Sequence, residues 1–274
     1  MFEMFQLEFI AQAFIVSVII GIVLSYLGVH VVGRGIVFVD LALGQISSLG
    51  VAFADYTGKG KTFIPILFAL LGAFLMSFIN IRDKRLKLEA VIGIIYAVSS
   101  AATVMLISKT PHGDSDIQEV LFGNILSVSM EQIKVVAIVF GAIALLHLIF
   151  HKRFFALTHR FESGTGHTIG IFNIWNFLFY LSIGLSIVFA VRISGVIPVF
   201  SFLIIPAVGA IMLAKKNIGV ILSAAILSVL GAFLGLFVSY KYDFPAGSSV
   251  VAVLGGCFML ASAYYITKSM LQKR

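Results

Sequence analysis

The sequence predicts an all-α polytopic membrane protein with about nine transmembrane helices, and three observations carry that prediction. Hydrophobic residues make up 60% of the 274 and charged residues only 11%, with a mean hydropathy of +1.10, far from the composition of a soluble domain. Uncharged apolar runs recur along the whole chain, each near the roughly 20 residues that a spanning helix requires. The basic residues between those runs fall mainly in alternate connections, which is the pattern that orients a multi-pass protein.

The first run, 9–33, is too long for a secretory h-region and has no basic stretch before it, so it reads as a retained helix rather than a signal peptide. Run 35–54 follows, uncharged apart from Asp40, and then 62–81, 90–108 and 135–151. Runs 163–191 and 193–214 are divided by Arg192 and the turn-like Ser194-Gly195. In the second of these, Pro198 and Pro206 stand eight residues apart. Each proline inside a helix removes a backbone bond, so this span is expected to be bent or broken. Such helices line cavities in transporters, while a simple packing kink is the other reading. Runs 217–240 and 244–267 complete the nine, and Gly231 and Gly235 form a GxxxG, a signal for close helix approach.

Counting Lys and Arg in alternate connections places thirteen of nineteen on one side: Arg34; Arg82, Lys84, Arg85 and Lys87; Lys152, Arg153 and Arg160; Lys215 and Lys216; Lys268, Lys273 and Arg274. That side is expected to be cytoplasmic, with the N-terminus outside and the C-terminus inside, which closes only with an odd number of spans. The net charge of +7 is therefore spread over short connections, and it sets topology rather than a nucleic-acid surface. The single cysteine, Cys257, excludes an intramolecular disulfide and a multi-cysteine metal cage.

No linker or low-complexity tract divides the chain, so one integral membrane domain over 1–274 is expected. Two connections exceed a turn. The outward one, 109–132, contains LFGNIL, too short to span and suited to a re-entrant or interfacial segment. The inward one, 151–172, mixes basic, aromatic and small residues and suits a short helix along the membrane surface, where a cytosolic partner can push.

Asp40 is the residue that most invites a functional reading. An ionised side chain within a bilayer costs at least roughly 2.5–3.5 kcal/mol on insertion scales, so it normally faces a bundle interior or a wet pathway. Two readings stand: a helix-end acid turned toward Arg34, or a hard oxygen ligand or charge relay on a cation path, placed little more than one turn inside its span. Gln45 adds a neutral oxygen only partly on the same face. In the outward connection His112, Asp114 and Asp116 offer an imidazole and two carboxylates around Gly113, a set that fits metal contact, partner docking or a solvated turn. His147, His151, His159 and His167 follow no zinc-binding helical spacing and read as interfacial. No GxxxxGK[ST] occurs, so any ATP that drives the protein is bound by another subunit.

Several strings, in order along most of the chain, resemble the metal-type permeases of bacterial ABC importers, the group that takes up zinc, manganese or ferrous iron. Arg34 and Asp40 form R-x5-D at the start of the second helix; KLEAVIGIIYAVSSAATVMLIS, opening with Glu89 just before Ile92-Gly93, is similar to the fourth helix. LFGNILSVS resembles the family's LFG-x-IL segment, and FESGTGHTIG its cytoplasmic coupling segment. SGVIPVFSFLIIPAVGAIMLA and GLFVSYKYDFPAGSSVV match its last blocks.

The resemblance implies a type II ABC importer-like permease fold, a homodimeric pore in the bacterial inner membrane, cytosolic ABC ATPase subunits and an extracytoplasmic metal-binding protein. It implies no stably bound cofactor, a divalent metal ion as cargo and ATP on the partner. It further implies that Asp40 lines the path as a metal contact and that Phe161, Glu162 and Gly170 lie in the coupling segment. The chain departs from the family where a histidine usually follows the aspartate by four residues: here stands Gly44, with Gln45 next. Loss of an imidazole weakens a nitrogen-rich site more than an oxygen-rich one. Two other functions compete: a stand-alone secondary transporter of a small metabolite using Asp40 for proton coupling, and a non-conducting membrane scaffold or sensor.

Overall fold

A computed structural model describes residues 2–60, 63–79, 88–109, 123–163 and 173–272. Ten α-helices are present among them: α1 (Glu8–Gly33), α2 (Val39–Thr57), α3 (Phe63–Phe78), α4 (Leu88–Ile107), α5 (Met130–Ile149), α6 (His151–Glu162), α7 (Ile174–Ser194), α8 (Val196–Leu213), α9 (Asn217–Tyr242) and α10 (Ala246–Gln272). Each of the nine apolar runs contains a helix among the described residues, and α6 is the additional, amphipathic one. Among the described residues, seven helices are long and apolar enough to cross a membrane by length and composition. Of the other two apolar ones, α3 has only 16 residues, about 24 Å of rise, and α2 carries Asp40, Gln45, Ser47 and Ser48 in its first half.

The helices fall into two compact units, each assembled from separated stretches of chain: Met1–Val32, Phe122–Ala142 and Ile193–Arg274 in the first, Gly33–Leu121 and Ile143–Arg192 in the second. In the first unit α8, α9 and α10 pack on one another. Small residues make this possible, since lipid supplies no apolar driving force between helices. A Cβ on Gly231 would meet Leu254, and one on Gly235 would meet the backbone of Val250, so the GxxxG is the seam between α9 and α10. Gly28 of α1 lies against the carbonyl of Leu203 in α8. A small cluster of Val29, Ala207, Ala210, Val220 and Ala224 fills the space between α1, α8 and α9.

Of the bend or break expected in the span containing Pro198 and Pro206, the break does not occur. α8 runs unbroken from Val196 to Leu213. Pro198 is its third residue, where the first-turn amides have no intrahelical partner to lose, and Pro206 alone lies within the helix. The division between α7 and α8 does fall at Ser194-Gly195, where Gly195 takes φ +79°. Leu121 and Phe122 of LFGNIL lie outside the described residues; beyond them a 3-10 turn covers Ile125–Ser127, with Gly123 set against the backbone of Ser194 and Gly195.

In the second unit α2 packs against α3 and α4. Gly50 sits on Pro65 and Phe68, Gly72 on Leu43 and Ile46, and Gly184 brings α7 to within 3.4 Å of Ala69 and Ala73 on α3, measured from its would-be Cβ. The start of α2 differs from the expectation. Gly35 adopts φ +65°, a left-handed conformation that ends α1. Residues 34–38 then turn, and the helix begins at Val39, whose N–H donates to the Ile36 carbonyl at 3.0 Å. Asp40 therefore occupies the first turn of α2 rather than a position more than one turn inside it.

Candidate functional site: the buried polar face of α2

Asp40 is buried, at 3% exposure, and its Oδ1 has no hydrogen-bond partner among the described residues. At the amino end of α2 the carboxylate stands where exposed helix amides favour negative charge. Residues at i, i+4 and i+8 share one face of a helix, which aligns Asp40, Gly44 and Ser48. Ser48 is also buried, and its Oγ likewise has no partner among the described residues. Ser47 and Gln45 are buried beside this line. Sequence reasoning found Asp40, Gly44 and Gln45 but missed Ser47 and Ser48, although the four-residue spacing from Asp40 was available.

Gly44 faces α7: a Cβ built on it comes within 3.6 Å of Cγ2 of Ile187, an ordinary contact. The position thus has room for the first atom of a side chain. Eight residues of helix rise about 12 Å, so Asp40 and Ser48 cannot belong to one ion's coordination shell. They suit successive polar positions along the same face. No group of three or more His, Cys, Asp or Glu that could hold a metal ion occurs among the described residues. A cation at Asp40 would meet one carboxylate and neutral oxygens, a weak and oxygen-rich environment from which it can leave.

The turn before Asp40 is held at several points. The guanidinium of buried Arg34 donates from Nε to Thr158 Oγ1 at 3.2 Å on α6 and from Nη1 to Asn176 Oδ1 at 3.1 Å on α7. It also lies 3.5 Å from the ring centroid of Phe179 and 5.7 Å from that of Phe161. The N–H of Val37 donates to Oε1 of Glu89, the first-turn acid of α4, at 3.4 Å.

The two described residues expected in the coupling segment lie at the end of α6. Phe161 is partly buried toward Arg34; Glu162 is exposed and accepts from His159 Nδ1 at 2.7 Å. A Cβ on Gly33 would come within 2.7 Å of both Glu162 Oε1 and Thr158 Cγ2, so within the second unit the end of α6 is seated on Gly33. Gly170, His112, Asp114 and Asp116 lie outside the described residues. His147 is not interfacial as expected: it is 1% exposed, stacked on Phe154 at 3.9 Å and hydrogen-bonded to Ser182 at 3.1 Å. His151 and His159 are exposed, and His167 lies outside the described residues.

Asp40 is thus a buried acid at the start of a polar helix face on a scaffold of apolar helices. The profile of the ABC 3 transport family matches residues 6–265. The chain belongs to that family. Among its curated relatives, the manganese transport system membrane protein MntC of Listeria innocua is 29% identical over 269 residues, spanning 97% of this chain and 94% of the relative. A probable iron transport system membrane protein of Haemophilus influenzae is 28% identical, spanning 94% and 91%. Of solved structures, PsaBC from Streptococcus pneumoniae in complex with Fab superposes with a TM-score of 0.77 at 27% identity, covering 93% of this chain and 91% of that one. As a member of the ABC 3 transport family this chain is a multi-pass membrane subunit of an ABC transporter, and ATP hydrolysis belongs to another subunit. Family membership decides against the stand-alone transporter and the non-conducting scaffold.

Proposed function

We propose that this ABC 3 family subunit forms the membrane path of an ATP-driven importer of divalent transition metal, with manganese or ferrous iron as cargo and Asp40 as the buried carboxylate that the ion meets on α2. The observation that carries the reading is the buried Asp40 oxygen without a hydrogen-bond partner among the described residues, aligned with Gly44 and the equally buried Ser48. A carboxylate so placed is costly unless a cation or proton visits it. With Gly44 where an imidazole usually stands in the family, the remaining donors are oxygens, which favour manganese and iron over zinc. The relatives named for manganese and iron transport support the same preference.

The transporter works by alternating access. ATP-driven closure of two cytosolic ATPases pushes on the coupling segment, made of α6 with Phe161 and Glu162 and of the following residues to Gly170, and the path around Asp40 opens to one side at a time. Two copies of the chain form the pore, and an extracytoplasmic metal-binding protein delivers cargo to the outward connection that carries His112, Asp114 and Asp116. The N-terminus lies outside and the C-terminus on the cytoplasmic side of the bacterial inner membrane, a reading that the distribution of Lys and Arg supports.

Asp40→Asn tests the reading, because it removes the charge and nearly preserves the volume. Metal uptake falls to background while the complex still assembles with its ATPase. Uptake at the wild-type rate by a correctly assembled Asp40→Asn complex contradicts the role of this carboxylate.

A further inference from the structure

Arg34 stands apart from the path, yet it touches more of the second unit than any ligand role for Asp40 requires. We propose that Arg34 is a positioning residue: a buried latch that ties coupling helix α6 to the turn carrying Asp40, so that a push on α6 moves the carboxylate. The inference rests on the reading above, in which α6 receives the ATPase's motion and Asp40 lines the path.

Three observations place the latch. Arg34 is 6% exposed, although an arginine at the end of an apolar helix ordinarily reaches for water with its long stem. Its planar fork reaches two elements at once, Thr158 on α6 and Asn176 on α7, while its face lies on Phe179. A guanidinium does this and an ammonium does not, because only the former is planar, forked and able to stack. Finally, only residues 35–39 separate Arg34 from Asp40, and they are not a slack tether. Gly35 makes the sharp turn, Val37 is held by Glu89 of α4, and Val39 already lies in α2.

A displacement of α6 therefore acts on Arg34 through Thr158 and through Gly33, against which Thr158 and Glu162 are seated. The short turn passes it to the first residues of α2. Glu89 restrains the middle of the turn at Val37, so in this proposal the motion reaches α2 chiefly as a rotation of its first turn. Rotation of the first turn of α2 re-aims Asp40, its second residue, while Ser48, two turns further on, moves less. Coupling of this kind can be carried by a chain of side-chain contacts and rigid backbone, here the Thr158–Arg34 hydrogen bond and the short stretch 35–39 before Asp40.

The experiment uses the full permease assembled with its ATPase and binding protein in proteoliposomes, and reads manganese ions moved per ATP hydrolysed. Arg34→Gln lowers that ratio at least tenfold while ATP turnover stays within about twofold of wild type. Arg34→Lys fails to restore it, since a lysine keeps the charge but loses the fork and the stacking. Thr158→Val, which leaves the guanidinium in place and removes one hydrogen bond, lowers the ratio several-fold, and adding it to Arg34→Gln causes no further loss. If Arg34→Gln does not assemble, Thr158→Val carries the test by itself. Uptake and ATP turnover that fall together, with the ratio unchanged, mean a merely structural arginine and overturn the proposal. Rescue by Arg34→Lys overturns it as well. Asp40→Asn in the same vesicles separates the two layers. Wild-type uptake by Asp40→Asn removes the underlying reading, whereas loss of uptake there with a wild-type ratio in Arg34→Gln removes the latch alone.

Discussion

At the scale of single residues, what decides function is which side chains a neighbouring helix leaves room for. Gly44 and Gly28 show the contrast. A Cβ at Gly44 meets only Ile187, at 3.6 Å, whereas one at Gly28 runs into the backbone carbonyl of Leu203, which cannot swing aside. Gly28→Ala is expected to destabilise the detergent-solubilised protein by about 1–3 kcal/mol, the usual cost of overpacking. Gly141→Ala, with nothing within 4 Å of its added carbon, leaves the unfolding temperature unchanged. Gly44→His adds a nitrogen donor to an oxygen-lined face, so the metal preference of uptake shifts toward zinc. A preference unmoved by this substitution places position 44 off the path. Asp40 was legible in the sequence because one acid stands out in an apolar run. The partners of Arg34 were not, because Thr158 and Asn176 lie 124 and 142 residues away and nothing local announces them. His147 was misread for the same reason: its burial depends on Phe154 and Ser182 arriving from two other helices.

At the scale of elements, hydropathy and isolated charges located all nine apolar helices, and Ser194-Gly195 located the division between α7 and α8. The start of α2 escaped because apolar residues fill the turn 35–38 as readily as a helix. The left-handed Gly35 and the hold of Glu89 on Val37 define the boundary, and hydropathy sees neither. The prolines of α8 do not break it because position matters more than count: Pro198 falls in the first turn, where it is tolerated. For α6 the expected short helix is present, and its faces are well separated. Phe154, Leu157 and Thr158 are buried, while Lys152, Arg153, His159 and Arg160 are exposed. Phe161→Ala combined with Glu162→Ala is expected to lower co-purification of the ATPase or metal-dependent ATP turnover several-fold without unfolding the membrane helices. Both quantities at wild-type level move the coupling site elsewhere in the chain.

At the scale of the whole molecule, the family match over residues 6–265 and the similarity to PsaBC over 93% of the chain leave little of the sequence outside one transport subunit. The orientation is the part that basic residues alone argue. It is tested with an impermeant thiol reagent after Cys257→Ser removes the native thiol. A cysteine replacing Lys109 is expected to label from outside intact cells, and one replacing Lys273 only after the cytoplasmic face is opened. The reverse pattern inverts the topology and with it the direction of transport. Legibility at this scale was high because membrane insertion is governed by length, hydropathy and charge, which are properties of the sequence itself. The site was less legible because a polar face becomes a path only when other helices enclose it.

The most direct test of the account is radioactive manganese uptake into proteoliposomes containing the permease, its ATPase and its binding protein, with ATP supplied on the ATPase side. The wild-type complex is expected to accumulate manganese only with hydrolysable ATP, and the Asp40→Asn complex, equally assembled, to accumulate none above the ATP-free background. Manganese accumulation by Asp40→Asn at the wild-type rate, or by the wild-type complex without ATP, would contradict an ATP-driven metal path through the buried face of α2.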